Sequence, residues 1–130
     1  MAAFLASILE KGKTQASYPA IKHAPVSFFI SACGFRWRFP QYDEFYPIST
    51  PSLHLVGEMD FIVAEDRTTA LVECCGDATV IKHPGGHFVP SSAKFRQEII
   101  EFIQRFKMSE DDYEGLIGQK SSTLVERMVL

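Results

Sequence analysis

Residues 52–60 read SLHLVGEMD and residues 78–87 read ATVIKHPGGH. The first is an apolar run ending in Gly57 and the second a β-branched run ending at Lys82, and short runs bounded by turn residues mark strands inside a sheet. Each run is followed closely by a group that can hold or move a proton. Asp60 lies three residues past Gly57, and His87 lies five past Lys82. Between the runs, residues 65–75 predict a short helix closed by Gly76, a residue suited to the left-handed position after a helix end. Strand, helix, strand in that order implies a parallel pair, whose carboxyl ends line the active crevice of an open sheet. Neighbouring strands lie about 4.8 Å apart, so the two side chains are expected to meet there as orienter and general base.

The chain extends this unit on both sides. Residues 26–33 (VSFFISAC) form a nearly continuous apolar run, expected to be a strand covered on both faces. Residues 34–50 are rich in aromatics, with Trp37, Phe39, Tyr42, Phe45 and Tyr46, and predict a loop over an apolar pocket suited to an acyl group. Residues 1–11 space Phe4, Leu5, Ile8 and Leu9 as a helix does, with no capping residue ahead of them. Residues 12–24 are a polar connection. A longer helix is predicted from Ser91 or Ser92 to about Lys107, with Phe95, Ile99, Phe102, Ile103 and Phe106 on one stripe. The fold class is α/β, with three parallel strands flanked by helices. Residues 1–107 read as one domain and 108–130 as a tail that opens acidic and forms a weak helix at 122–128.

The 130 residues carry a net charge of −3 and 46% apolar residues, a globular composition without the basic stripe that neutralises phosphates. Nucleic acid is therefore not an expected partner. No apolar run reaches the roughly 18 residues of a membrane span, and the opening residues lack a signal-peptide pattern. Cys33, Cys74 and Cys75 form no C-x-x-C pair and suit buried thiols in a reducing compartment, which predicts a cytosolic or nuclear address.

Two stretches carry a more specific likeness. TPSLHLVGEMDFIVAEDRT at 50–68 and KHPGGHFVPSSAKF at 82–95 resemble the downstream signatures of the FSH family of serine hydrolases, which pairs a strand ending G-E-x-D with a loop H-P-G-G-H. ISACGFRWRFP at 30–40 resembles the preceding strand and loop, and MAAFLAS at 1–7 the helix after that family's nucleophile elbow. The likeness covers about residues 1–107 and departs at Ala64, where the family commonly has proline. It implies an α/β-hydrolase fold, of which this chain holds the C-terminal half without the half that bears the nucleophile. It also implies that Asp60 is the catalytic aspartate and His87 the catalytic base of a Ser-His-Asp triad. No G-x-S-x-G occurs in the sequence, so the serine of that triad is missing. The resemblance implies an acyl hydrolase acting on small-molecule esters or thioesters. The alternative is a truncated, inactive paralogue or fragment that works, if at all, by binding a partner.

Other residues read more plainly. His83 and His87 have the spacing of a helical zinc pair, but Pro84, Gly85 and Gly86 forbid that helix, so no metal and no cofactor is expected. Gly85 and Gly86 are expected to shape the loop that presents His87. Glu58 is expected to cap a turn, His23 and His54 to be ordinary surface or packed residues, and Cys74 and Cys75 to be buried on the helix at 65–75. Without the strand that leads into the elbow, the run at 26–33 keeps an open edge and predicts self-association.

Overall fold

The computed structural model describes residues 1–11 and 23–107. Most of the connection expected at 12–24, and the tail with its helix at 122–128, lie outside these residues. In chain order the elements are α1 (Ala2–Lys11), β1 (Phe29–Ala32), a 3-10 turn (Pro40–Phe45), β2 (Ser52–Gly57), α2 (Glu65–Val72), β3 (Ala78–His83) and α3 (Ala93–Gln104). The strands form one parallel sheet in the order β1-β2-β3, with Phe29 opposite Ser52 and Ser52 opposite Ala78.

Side chains alternate across the sheet and divide the core in two. On one face Phe29 packs with Ala3 and Ala6 of α1, Leu71 of α2, Ile48 and Cys75. On the other, Leu53, Leu55 and Ile81 pack with Phe102 of α3, and Phe28, Ile30, Phe95, Ile99 and Phe106 close around them. Helices therefore cover both faces, and the parallel α/β architecture stands as three strands between helical layers.

Several expectations are corrected. The strand covered on both faces is β2, in which all six residues are buried. The run at 26–33 gives only the four-residue β1, where Ile30 is half-buried and Ala32 exposed, because β1 is an edge of the sheet among the described residues. In α1 the buried positions are Ala3, Ala6, Ser7 and Leu9, while Leu5 is half-exposed. Small residues let the helix axis approach the sheet, and Ser7 Oγ donates to the Phe45 carbonyl. Phe4 turns instead into an aromatic group, stacked on Trp37 at 4.8 Å. Helix α2 ends at Val72, before Cys74 and Cys75. Gly76 has no left-handed conformation, and its N–H pairs with the Ile48 carbonyl at 2.9 Å, beside a parallel bridge from Ile48 to Cys75.

Candidate active site

Three turns meet at the carboxyl ends of the strands. After β2 the chain turns at once: the Glu58 N–H donates to the His83 carbonyl at 2.9 Å and the Met59 N–H to the Gly85 carbonyl at 3.0 Å. These bonds lace the turn holding Asp60 to the H-P-G-G-H loop. Gly57 is required for that contact, since a Cβ there would stand 2.3 Å from the Gly86 oxygen and 2.7 Å from the Gly85 oxygen. Neither atom can yield, because both are backbone. At Gly85 an added Cβ would meet the tip of the exposed Phe88 ring at 2.2 Å, a side chain that can swing aside, so the backbone contact at Gly57 is the stricter one.

The lacing brings His87 Nδ1 to 2.8 Å from Asp60 Oδ2. Asp60 Oδ1 accepts the Ile62 and Val63 N–H groups at 2.8 and 2.9 Å, so its own turn holds the carboxylate in place. Desolvation opposes ionisation, but it is outweighed by the Val63 N–H, the His87 ring, the Ile62 N–H and the Cys33 thiol, which together draw the carboxyl down to about 2. An ionised carboxylate can only accept. The bond between them therefore uses a hydrogen on His87 Nδ1, and Nε2 is left outside it. The Asp60 side chain is 4% exposed against 41% for His87, so the carboxylate is enclosed and the imidazole faces outward.

His83, the other histidine of the loop, is not brought to Asp60. It is buried on the α3 face between Phe88 and Phe95, and its Nδ1 accepts the Gly85 N–H at 3.2 Å. It helps shape the loop. His54 is fully buried on the opposite face with Nε2 3.0 Å from Ser52 Oγ, and His23 is exposed. Glu58 is exposed as a turn residue. Cys75 is a buried thiol whose pKa is pushed up to about 11, chiefly by burial.

Sequence reasoning missed Cys33. It follows β1 with φ 49°, a left-handed conformation uncommon outside glycine, and its sulfur lies against the Gly86 and Phe88 carbonyls at 3.8 and 3.9 Å. Ligand atoms of Cys33, Asp60 and His87 all fall within 4.8 Å of one another. Burial first, and then the Asp60 carboxylate, raise the Cys33 thiol above its ordinary range, so it stays a protonated neighbour of Asp60. A cysteine closing an apolar strand gives no sign in sequence of the backbone turn that aims it.

Past Cys33, the aromatic segment walls a pocket of about 630 Å³ lined by Phe35, Trp37, Arg38, Phe39, Tyr42 and Arg67. The expected pocket is therefore present, with two arginines in its wall.

The profile of the serine hydrolase (FSH1) family matches residues 1–99. Family of serine hydrolases 2 of Saccharomyces cerevisiae is 40% identical over 86 residues, covering 62% of this chain and 39% of that protein. Esterase OVCA2 of Danio rerio is 37% identical over 83 residues, covering 62% and 37%. A Schizosaccharomyces pombe protein named dihydrofolate reductase is 40% identical over 103 residues, 78% of this chain but 22% of that protein, and the reductase name is that protein's own. This chain thus matches between about a fifth and two fifths of these relatives' lengths. No solved structure gives a significant match. Two motifs, a parallel sheet between helices and a match across most of its length place this chain in the FSH family of serine hydrolases.

Proposed function

We propose that the chain supplies the acid–base part of an acyl-hydrolase site, with His87 as general base and then general acid and Asp60 as its orienter. The observation that carries this is the 2.8 Å bond from His87 Nδ1 to an enclosed, ionised carboxylate at the ends of adjacent strands. A serine hydroxyl placed at Nε2 would lose its proton to the ring as it attacked the acyl carbon. The ring would then return that proton to the departing alcohol or thiol, and Asp60 would stabilise the imidazolium between the two steps. The substrate class is an ester or thioester of a small or medium carboxylic acid, with the aromatic pocket as acyl site. Three free cysteines support a reducing compartment, cytosol or nucleus.

A chimera tests this reading. The segment of yeast Family of serine hydrolases 2 that matches this chain is replaced by its counterpart here, and p-nitrophenyl ester hydrolysis is followed. Activity is expected in the chimera, with a loss of about 10³–10⁴-fold on His87→Gln or Asp60→Asn. A folded chimera that is inactive, or one indifferent to His87→Gln, would sink the assignment. The 130-residue chain alone, lacking a G-x-S-x-G, is expected to hydrolyse no ester and to take no fluorophosphonate label at a defined serine. A second reading is a binding role without turnover. It is favoured by the β1 edge, unpaired among the described residues, through which two copies could join.

A further inference from the structure

The aromatic pocket is not uniformly apolar. Its walls are Phe35, Trp37, Phe39 and Tyr42, with Trp37 against Tyr42 at 4.4 Å, and two guanidinium groups complete the lining. Arg38 is paired with Asp66 at 3.4 Å, both side chains well exposed. Arg67 stands differently. Its guanidinium lies 4.1 Å above the Phe35 ring, and no ion pair to it is found among the described residues. Arg67 sits in the first turn of α2, where the helix dipole disfavours a cation, and the stack on Phe35 offsets that cost. A planar fork held flat against an aromatic wall keeps its N–H edge free for an anion in the pocket.

A plain alkyl chain gains nothing from such a group. The volume of about 630 Å³ lies in the range of pockets that hold small organic ligands, and one of its walls is Phe35, two residues beyond the Cys33 that sits with Asp60 and His87. That separation is roughly 7 Å of chain at most, which puts one wall of the pocket beside the residue that flanks the dyad. We infer that the pocket selects acyl groups with an apolar body and a carboxylate at the far end, half-esters or half-thioesters of medium-chain dicarboxylic acids, with the carboxylate on Arg67 and assisted by Arg38. Aromatic faces take the methylene body, and the guanidinium takes the terminal carboxylate through charge-assisted hydrogen bonds. The inference rests on the acyl-site reading above and names its substrate class.

Trp37 is the single tryptophan of the chain and lines the pocket, so its fluorescence reports occupancy without turnover. The full chain carrying His87→Gln is titrated with monomethyl suberate and with the uncharged dimethyl suberate. The half-ester is expected to bind about tenfold more tightly. The preference should disappear in Arg67→Gln, shrink in Arg38→Gln and weaken with added salt, while dimethyl suberate binds all three proteins alike. Equal binding of the two esters, or an anion preference that survives Arg67→Gln with Arg38→Gln, overturns the inference. Circular dichroism of each variant shows that it is folded. Because no chemistry is needed, anion selectivity with an inactive chimera would fail the hydrolase reading alone. An active chimera without selectivity would fail the pocket assignment alone.

Discussion

Gly57 controls the site without touching a substrate. Its missing side chain lets the turn after β2 lie against the Gly85 and Gly86 carbonyls, and that contact sets where His87 stands. Gly57→Ala is therefore expected to push the H-P-G-G-H loop away and break the Asp60–His87 bond. The low-field imidazole N–H resonance of His87 would vanish, and stability would fall by more than about 1 kcal/mol. A variant that kept both resonance and melting point would show that the loop holds itself. Cys33→Ser asks less. It retains a donor beside Asp60 and should leave the dyad in place, whereas Cys33→Ala removes the donor without a β-branched side chain at this left-handed position and should raise the Asp60 carboxyl from about 2, as followed by its carboxyl carbon shift.

Glu10, at the end of α1, performs a task that no local pattern reveals. Its carboxylate accepts the Ser49 N–H at 2.9 Å and both the N–H and hydroxyl of buried Thr50 at 2.7 Å, tying the helix to the segment that enters β2. Desolvation opposes its charge, but these donors outweigh it and lower its pKa. Glu10→Ala strands the Thr50 donors and is expected to cost about 1–3 kcal/mol in urea unfolding, while Glu10→Gln, which keeps an acceptor, costs less. A neutral outcome for the alanine variant would mean that water replaces the carboxylate. The elements legible in sequence were those whose evidence is local: the runs of β2 and β3, the aromatic stripe of α3, and Asp60 and His87 just past strand ends. Illegible were features made by residues distant in the chain, such as the Glu10 clamp, the Gly76–Ile48 pairing that displaced an expected helix cap, and the small-residue face of α1. Strand β1 was overestimated for a related reason. Composition gives the propensity of 26–33, but which residues find a partner on each side is decided by the sheet.

At the scale of the molecule, pH and concentration are the informative variables. Fully buried His54 has its pKa lowered from 6.5 to about 4 by desolvation, so between those values the unfolded chain binds a proton that the folded chain refuses. Stability then rises with pH across this window and is lost on acidification, by about 3 kcal/mol between pH 7 and 4. Chemical unfolding of His54→Gln should show a flatter profile over that range, and an unchanged slope would place the titration elsewhere. Concentration tests the open edge. The wild-type chain is expected to grow in apparent size in light scattering as its concentration rises, and Ala32→Lys, a charge on the exposed residue of β1, should suppress this. A wild-type protein that stays monomeric would show that the edge is covered. The fully buried β2 has a further consequence, written in deuterium. In a parallel strand successive amides point to opposite neighbours, so Ser52, whose N–H reaches the Asp77 carbonyl at 2.8 Å, shares its direction with His54 and Val56, while Leu53 and Leu55 donate towards β1. When the four-residue edge strand frays, only the second set is released to solvent. Amide exchange along β2 should therefore alternate, slow at Ser52, His54 and Val56 and faster at Leu53 and Leu55, although all five residues are equally hidden from water.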